Sequence, residues 1–280
     1  MNSEDRAQGL SPELRASLFH FTVFGTTGVA SAYLAIWLSG KGISSGEIGI
    51  INAVPVLLNL LLGIVIGRIA DRASDWKSTI VILSLIAAVA PIALLFVDGF
   101  WGLLAIIALV IYPVSALVPV IDAATLRLTE RRGTDFGFVR AWGTVGYMVS
   151  TGLTGILIGW LGAWIFVPVL VAWGLLRVAL SLPLPRFRAP LAEAVDKRVP
   201  SGVTLVSLMK PWFLLPCIAF ALIQSTHFFL GAMGALVWKI DGIGEGWIGP
   251  LIAVSALGEA VVMFSWKRIG STMNARTMLI

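Results

Sequence analysis

The stretch GISSGEIGIINAV at residues 42–54 returns as GIGEGWIGPLIAV at residues 242–254, and this repetition decides the fold. Seven of the thirteen aligned positions are identical: glycine at 42, 46 and 49, isoleucine at 43 and 48, Ala53 and Val54. The same 200-residue offset sets Arg68-Ile69 on Arg268-Ile269 and Asn59 on Glu259. Each copy stands between two long apolar runs, so what repeats is a pair of helices with its connecting turn. A parallel repeat at this distance leaves room for six spans in the first unit and places two more in the second.

Working outward, apolar stretches of membrane-crossing length occur at about 18–39, 47–67, 78–97, 101–122, 138–160, 163–183, 211–237 and 247–266. About twenty apolar residues in a helix cross a hydrocarbon core of ~30 Å, so the chain reads as an all-α polytopic membrane protein. Composition points the same way. At 58% apolar and 12% charged, with a mean hydropathy of +0.94, 280 residues carry more apolar surface than a soluble core buries, and the lipid bilayer must cover much of it.

The loops alternate in charge. Arg68, Arg72 and Lys77 follow the second span, Arg127, Arg131, Arg132 and Arg140 surround the loop after the fourth, and Arg186, Arg188, Lys197, Arg198 and Lys210 follow the sixth. The other side carries Lys41 and Lys239. The positive-inside rule puts both chain ends in the cytosol. The net charge of +5 is therefore a topology signal, and no nucleic-acid partner is expected. The first seventeen residues mix charges (Glu4, Asp5, Arg6, Glu13, Arg15) without a cleavable leader pattern, so the N-terminus is expected to stay in the cytosol, and the expected location is a multi-pass protein of a bacterial plasma (inner) membrane. The single cysteine, Cys217, excludes disulfides and cysteine metal sites within the chain and reads as an inert membrane thiol.

The expected organisation is a six-helix unit over 1–183, a cytosolic linker over 184–210 marked by Pro185, Pro190, Pro200 and Gly202, and the start of a second unit over 211–280. The run Thr277-Met278-Leu279-Ile280 is where a ninth span would begin, so the chain reads as incomplete, with a natural eight-span protein as the alternative.

Two parallel six-helix halves with a basic loop after the second helix resemble the major facilitator superfamily. Its signature G-x-x-x-D-R is matched by Gly67, Asp71 and Arg72, although Ser74, Asp75 and Trp76 stand where further glycine and basic residues are usual. An ordinary helix end with topology charges is the other reading of those residues. Closer likeness is to the phenylpropionic acid permeases and, more distantly, to lactose permease. It is carried by PVIDAATLRL (119–128), FGFVRAWGTVGY (136–147), QSTHFFLGAMGALVW (224–238) and GEAVVMFSWKRIG (258–270). An acid on helix four, an arginine eighteen residues later and an aromatic seven beyond fall on Asp122, Arg140 and Tyr147. The resemblance implies a substrate-site role for the acid and the arginine. It also implies about eight of twelve helices of the superfamily fold. Glu259 agrees with the phenylpropionate type and lies deeper than the helix-eight carboxylate of lactose permease.

The residues themselves bear two readings each. Glu259 stands about twelve residues into its span, near the midplane at ~1.5 Å per residue. A carboxylate there is costly unless paired, hydrated or protonated. That suits a group that collects a proton on one face and releases it on the other, or a structural acid tied to a polar neighbour. Asp122 and Arg140 make a natural buried pair, or two side chains snorkelling to the interface. Tyr147, two turns beyond Arg140, contacts a ligand or packs. Gln224 and His227 share a face of helix seven that should look into the protein, with Trp238 three turns further on. His20 reads as interfacial. Asn52 and Asn59 share a stripe of helix two. Helix five carries Gly143, Gly146, Gly152, Gly155 and Gly159, which permit close and slidable packing.

Together these point to a proton-coupled symporter for a small organic solute, monomeric and without an organic or metal cofactor. The resemblance favours an aromatic carboxylic acid with Arg140 as its partner, and a sugar or nucleoside comes next. A receptor homologue that binds without transporting is a different class. An enzyme is not expected, because no serine–histidine set, paired membrane aspartates or His-Glu-x-x-His motif is present.

Overall fold

Polar caps and glycine turns punctuate the apolar runs, and helices begin where they stand. The computed structural model describes residues 9–187 and 210–270. Ser11 accepts from the Leu14 amide and opens α1 (Pro12–Gly40). Ser44 and Glu47 form a reciprocal capping box at the start of α2 (Ser45–Arg72). Asp75 caps α3 (Trp76–Val89), whose last turn tightens into a 3₁₀ segment at Ala90–Leu95. Gly133, in the left-handed region at φ 64°, stops α4 (Phe100–Arg132), and Asp135 caps α5 (Phe136–Leu161). Then come α6 (Phe166–Ser181), α7 (Pro211–Ile240) and α8 (Glu245–Gly270).

Among the described residues eight helical segments are long and apolar enough to cross a membrane, the number read from the sequence. The expected bounds err most at α4, which continues ten residues past Asp122 to Arg132. Asp122 therefore lies about 15 Å inside the helix end. The 200-residue repeat recurs as backbone geometry. Gly42 and Gly242 take φ 82° and 90°, their amides bond to Ser39 and Lys239, and the amides of Ile43 and Ile243 reach back to Leu38 and Trp238. Both turns are the same motif, so glycine is required at both.

The helix that the others surround is α1. It packs on α5 and α6, touches α4 and meets α7. α5 lies between α1 and α8, α3 lies against α4 and α6, and α2 leans on α4. Glycines set the approach of α5 to both neighbours. A Cβ at Gly146 would run into the Phe21 carbonyl of α1, and Cβ atoms at Gly155 and Gly159 would stand 3.2 and 3.1 Å from the Cα atoms of Gly249 and Gly246 on α8. Two apolar clusters fill the bundle. One gathers Val29–Leu38 of α1 with Ala235, Leu236 and Ile248, and the other gathers Ala16, Phe19 and Val23 with Trp76, Ile80 and the Val114–Leu128 face of α4.

The linker's first residues are docked. Phe187 is buried, its amide donates to Asp75 Oδ2 at 3.0 Å, and its carbonyl accepts from Arg131 at 2.7 Å. The rest of the linker reading (Arg188, Pro190, Lys197, Arg198, Pro200, Gly202) and the terminal run Thr277–Ile280 lie outside the described residues.

Candidate functional site

Arg140, Thr144 and Tyr147 stand at i, i+4 and i+7 of α5 and so share one stripe. The bundle brings three other helices to it. From α4 comes Asp122, whose Oδ1 lies 3.4 Å from Arg140 Nε. From α1 comes Phe24, its ring 3.8 Å beneath the guanidinium in a cation–π contact. From α8 comes Glu259, whose Oε1 accepts from the Thr144 hydroxyl at 3.2 Å, with Met263 Sδ 3.6 Å from the same hydroxyl. Tyr147 accepts from Ser31 of α1 at 3.2 Å.

This is a charged seam along one helix. Arg140 lies within the field of both Asp122 and Glu259, so two carboxylates share one guanidinium. Asp122 and Arg140 retain 32% and 18% of their side-chain exposure, so the pair is open on one side, and Glu259 is exposed. Arg140 Nη1 is buried with no hydrogen-bond partner among the described residues. That donor is left unused within the seam, and the guanidinium must turn to offer it to an acceptor on the open side.

The structure corrects the reading of His20. The ring is fully buried, not interfacial, with Nε2 3.0 Å from the Thr125 hydroxyl and Nδ1 3.9 Å from Asp122 Oδ1. The reason is the length of α1, which starts at Pro12 and carries His20 two turns inside the helix, between α4 and α5.

It also corrects the expectation that Gln224 and His227 look into the protein. Both are exposed, because α7 is buried at Gly234–Leu236 against α1 while its residues 211–230 stay exposed but for a partly buried Leu214. Trp238 is half-buried and packs on the Val29–Leu38 cluster, away from the charged seam. Cys217 is exposed on the same helix.

The signature residues Gly67 and Asp71 line an apolar groove of about 180 Å³ between α2 and α4, with Trp76 and Pro119, and Arg72 is exposed at the end of α2. None of the seam residues lines that groove. Asn52 donates to Ile48 of its own helix at 2.9 Å, and Asn59 is half-buried.

Sequence reasoning missed Thr144, Phe24 and Arg177. The spacing of four from Arg140 was a usable signal for Thr144. Phe24 carried none, since an apolar residue in an apolar helix is unmarked. Arg177 of α6 is fully buried, donating to Thr26 Oγ1 at 2.9 Å and to the Ser84 carbonyl at 3.4 Å. Among the described residues no group of histidines, cysteines and acids is arranged to hold a metal.

The model of the MFS_1 like family matches residues 14–280. A probable 3-phenylpropionic acid transporter of Escherichia coli (strain K12) is 24% identical over 271 residues, covering 94% of this chain and 69% of that protein. The maltose permease of Geobacillus stearothermophilus is 25% identical over 269 residues, covering 94% and 66%. The chain thus spans about two thirds of the length of either. The crystal structure of the nucleoside transporter NupG superimposes with a TM-score of 0.73 at 16% identity, over 94% of this chain and 68% of that one, which establishes likeness of fold.

Proposed function

The chain belongs to the MFS_1 like family, within the major facilitator superfamily of membrane transporters, and from that premise we propose that it serves proton-coupled symport of an aromatic carboxylic acid by alternating access. The observation that carries the reading is the charged seam. With all three groups ionised, Asp122 and Glu259 against Arg140 leave one uncompensated negative charge, which one proton neutralises. A substrate carboxylate meets the unused Nη1 of Arg140, with the Phe24 face beside it for an aromatic ring. The relative named for 3-phenylpropionic acid supports this substrate class.

The carboxylate–hydroxyl pair of Glu259 and Thr144 favours a second reading, a sugar or nucleoside, whose hydroxyl groups such a pair can hold. The relative named as a maltose permease supports that alternative. In both readings the protein is a monomer in a plasma membrane with its basic loops in the cytosol, and the two repeat units rock about the substrate.

Uptake by cells expressing the full-length protein decides among them. Radiolabelled 3-phenylpropionate, maltose and uridine are offered with and without a pH gradient. Accumulation of the aromatic acid that collapses with the gradient is the expected result. Accumulation of maltose or uridine instead would replace the substrate class, and accumulation insensitive to the gradient would remove the proton.

A further inference from the structure

His20 is buried on every side and hydrogen-bonds at one nitrogen, to Thr125. Thr125 is fully buried as well, and among the described residues its hydroxyl has no other partner than His20 Nε2. Its proton must go to Nε2, because a buried hydroxyl hydrogen left unbonded costs on the order of 1–3 kcal/mol. Nε2 is then the acceptor and Nδ1 carries the ring hydrogen. The opposite tautomer strands the threonine proton and sets the Nδ1 lone pair against a carboxylate oxygen.

The Nδ1 hydrogen has an evident target. Asp122 Oδ1 is 3.9 Å away, and among the described residues both buried atoms lack a hydrogen-bond partner. That separation is too long for a bond. Asp122 is meanwhile held by the guanidinium at 3.4 Å. Among the described residues the charged groups that act on His20 are Asp122 from α4 and Arg140 from α5, and the Arg177 of α6 is engaged further along α1 at Thr26.

We propose that His20 is a positioning residue of the site, its Nδ1–H fixed toward Asp122 by Thr125 so that it takes over this carboxylate when Arg140 turns to an anionic substrate. A guanidinium that leaves Asp122 for a ligand strands a carboxylate, and a stranded carboxylate opposes the exchange. A neutral donor already aimed at the same oxygen removes that opposition. The closing distance is about 1 Å, within reach of a rotation of the aspartate side chain. The idea rests on Arg140 receiving the substrate's negative charge.

The test separates the two. Full-length protein labelled with ¹⁵N-histidine is examined by NMR in detergent, the His20 signal being assigned by its loss in His20→Gln. The signal should report a neutral ring protonated at Nδ1. In Arg140→Gln and Arg140→Lys, which withdraw the guanidinium without any ligand, the Nδ1 hydrogen should move downfield as it bonds to Asp122. In Asp122→Asn that movement should vanish. An Nε2-protonated ring, or an Nδ1 hydrogen indifferent to both Arg140 variants, overturns the proposal whatever is transported.

Uptake of 3-phenylpropionate adds the functional arm. His20→Asn places an amide where Nδ1 stands and should keep KM near the parent's. His20→Gln keeps a polar atom at the Nε2 position and should raise KM about tenfold with expression unchanged. Equal behaviour of the two variants would reduce His20 to a packing residue. Absence of 3-phenylpropionate uptake in the parent, with the NMR result as expected, would sink the substrate class and leave His20 in place.

Discussion

Two arginines within the apolar helices, half-buried Arg140 of α5 and fully buried Arg177 of α6, answer the same electrostatic problem differently. Arg140 faces two carboxylates, sits on an aromatic ring, keeps a donor unused and opens to solvent on one side. Arg177 is sealed, and among the described residues it donates to a threonine hydroxyl and a main-chain carbonyl. Neither of those partners depends on it. Thr26 still donates to the Thr22 carbonyl at 3.0 Å, and the Ser84 carbonyl sits inside α3. Arg140 is thus one member of an exchangeable charge set, while Arg177 ties α1, α3 and α6 without a counter-charge among the described residues. A cation is free to act where its partners can be traded and fixed where they cannot.

The strongest way to break this contrast is to remove one charge from the seam. Arg140→Gln and Asp122→Asn should each lower transport on the order of a hundredfold, since each upsets the charge balance of the seam and removes the ionic partner 3.4 Å from the other group. The double variant should recover expression and thermal stability relative to either single one. The check is uptake with detergent melting curves for all three. Strict additivity would show that the two groups act independently.

Packing that holds the seam ranks next. In Gly146→Ala the new methyl meets the Phe21 backbone, so α5 must move away from α1 and carry Arg140 off Phe24. A loss of about 1–3 kcal/mol is expected. Gly152, which has open space around its Cβ position, is the matched control. A melting temperature unchanged in Gly146→Ala would refute the close α1–α5 contact.

Glu259→Gln sharpens the contrast by leaving shape and fold intact. Its Thr144 bond survives as an amide bond while the side chain becomes permanently neutral. Uphill accumulation driven by a pH gradient should disappear while downhill exchange of substrate continues. A variant that still concentrates substrate takes Glu259 out of the coupling step.

The smallest effect belongs to Arg177→Met. Replacing a buried cation that lacks an acidic partner by an apolar side chain of similar length is often neutral or favourable. Stability within about 1 kcal/mol of the parent and near-parental uptake are expected. A collapse of expression, or loss of transport in a folded variant, would place Arg177 beside Arg140 as a working charge.

The sequence by itself determined whatever depends on neighbours along the chain. Run length and hydropathy marked eight spans. The copies at 42–54 and 242–254 predicted equivalent turns, and Gly42 and Gly242 adopt them with φ 82° and 90°. Asp122 and Arg140 were legible because a charge inside an apolar run has few neutral explanations, and the structure sets them 3.4 Å apart. Equivalence along the chain did not carry into surroundings. In α1 72% of the most apolar eighteen-residue stretch is buried, whereas α7 is buried only at Gly234–Leu236 among the described residues, so His20 lies inside while Gln224 and His227 lie exposed. Likewise Asn59 and Glu259 share a repeat position, but the Thr144 hydroxyl from α5 meets Glu259. Only the tertiary structure decided these matters. A helix and its caps are set by residues within a few positions, whereas the environment of a side chain is set by whichever helix packs against it.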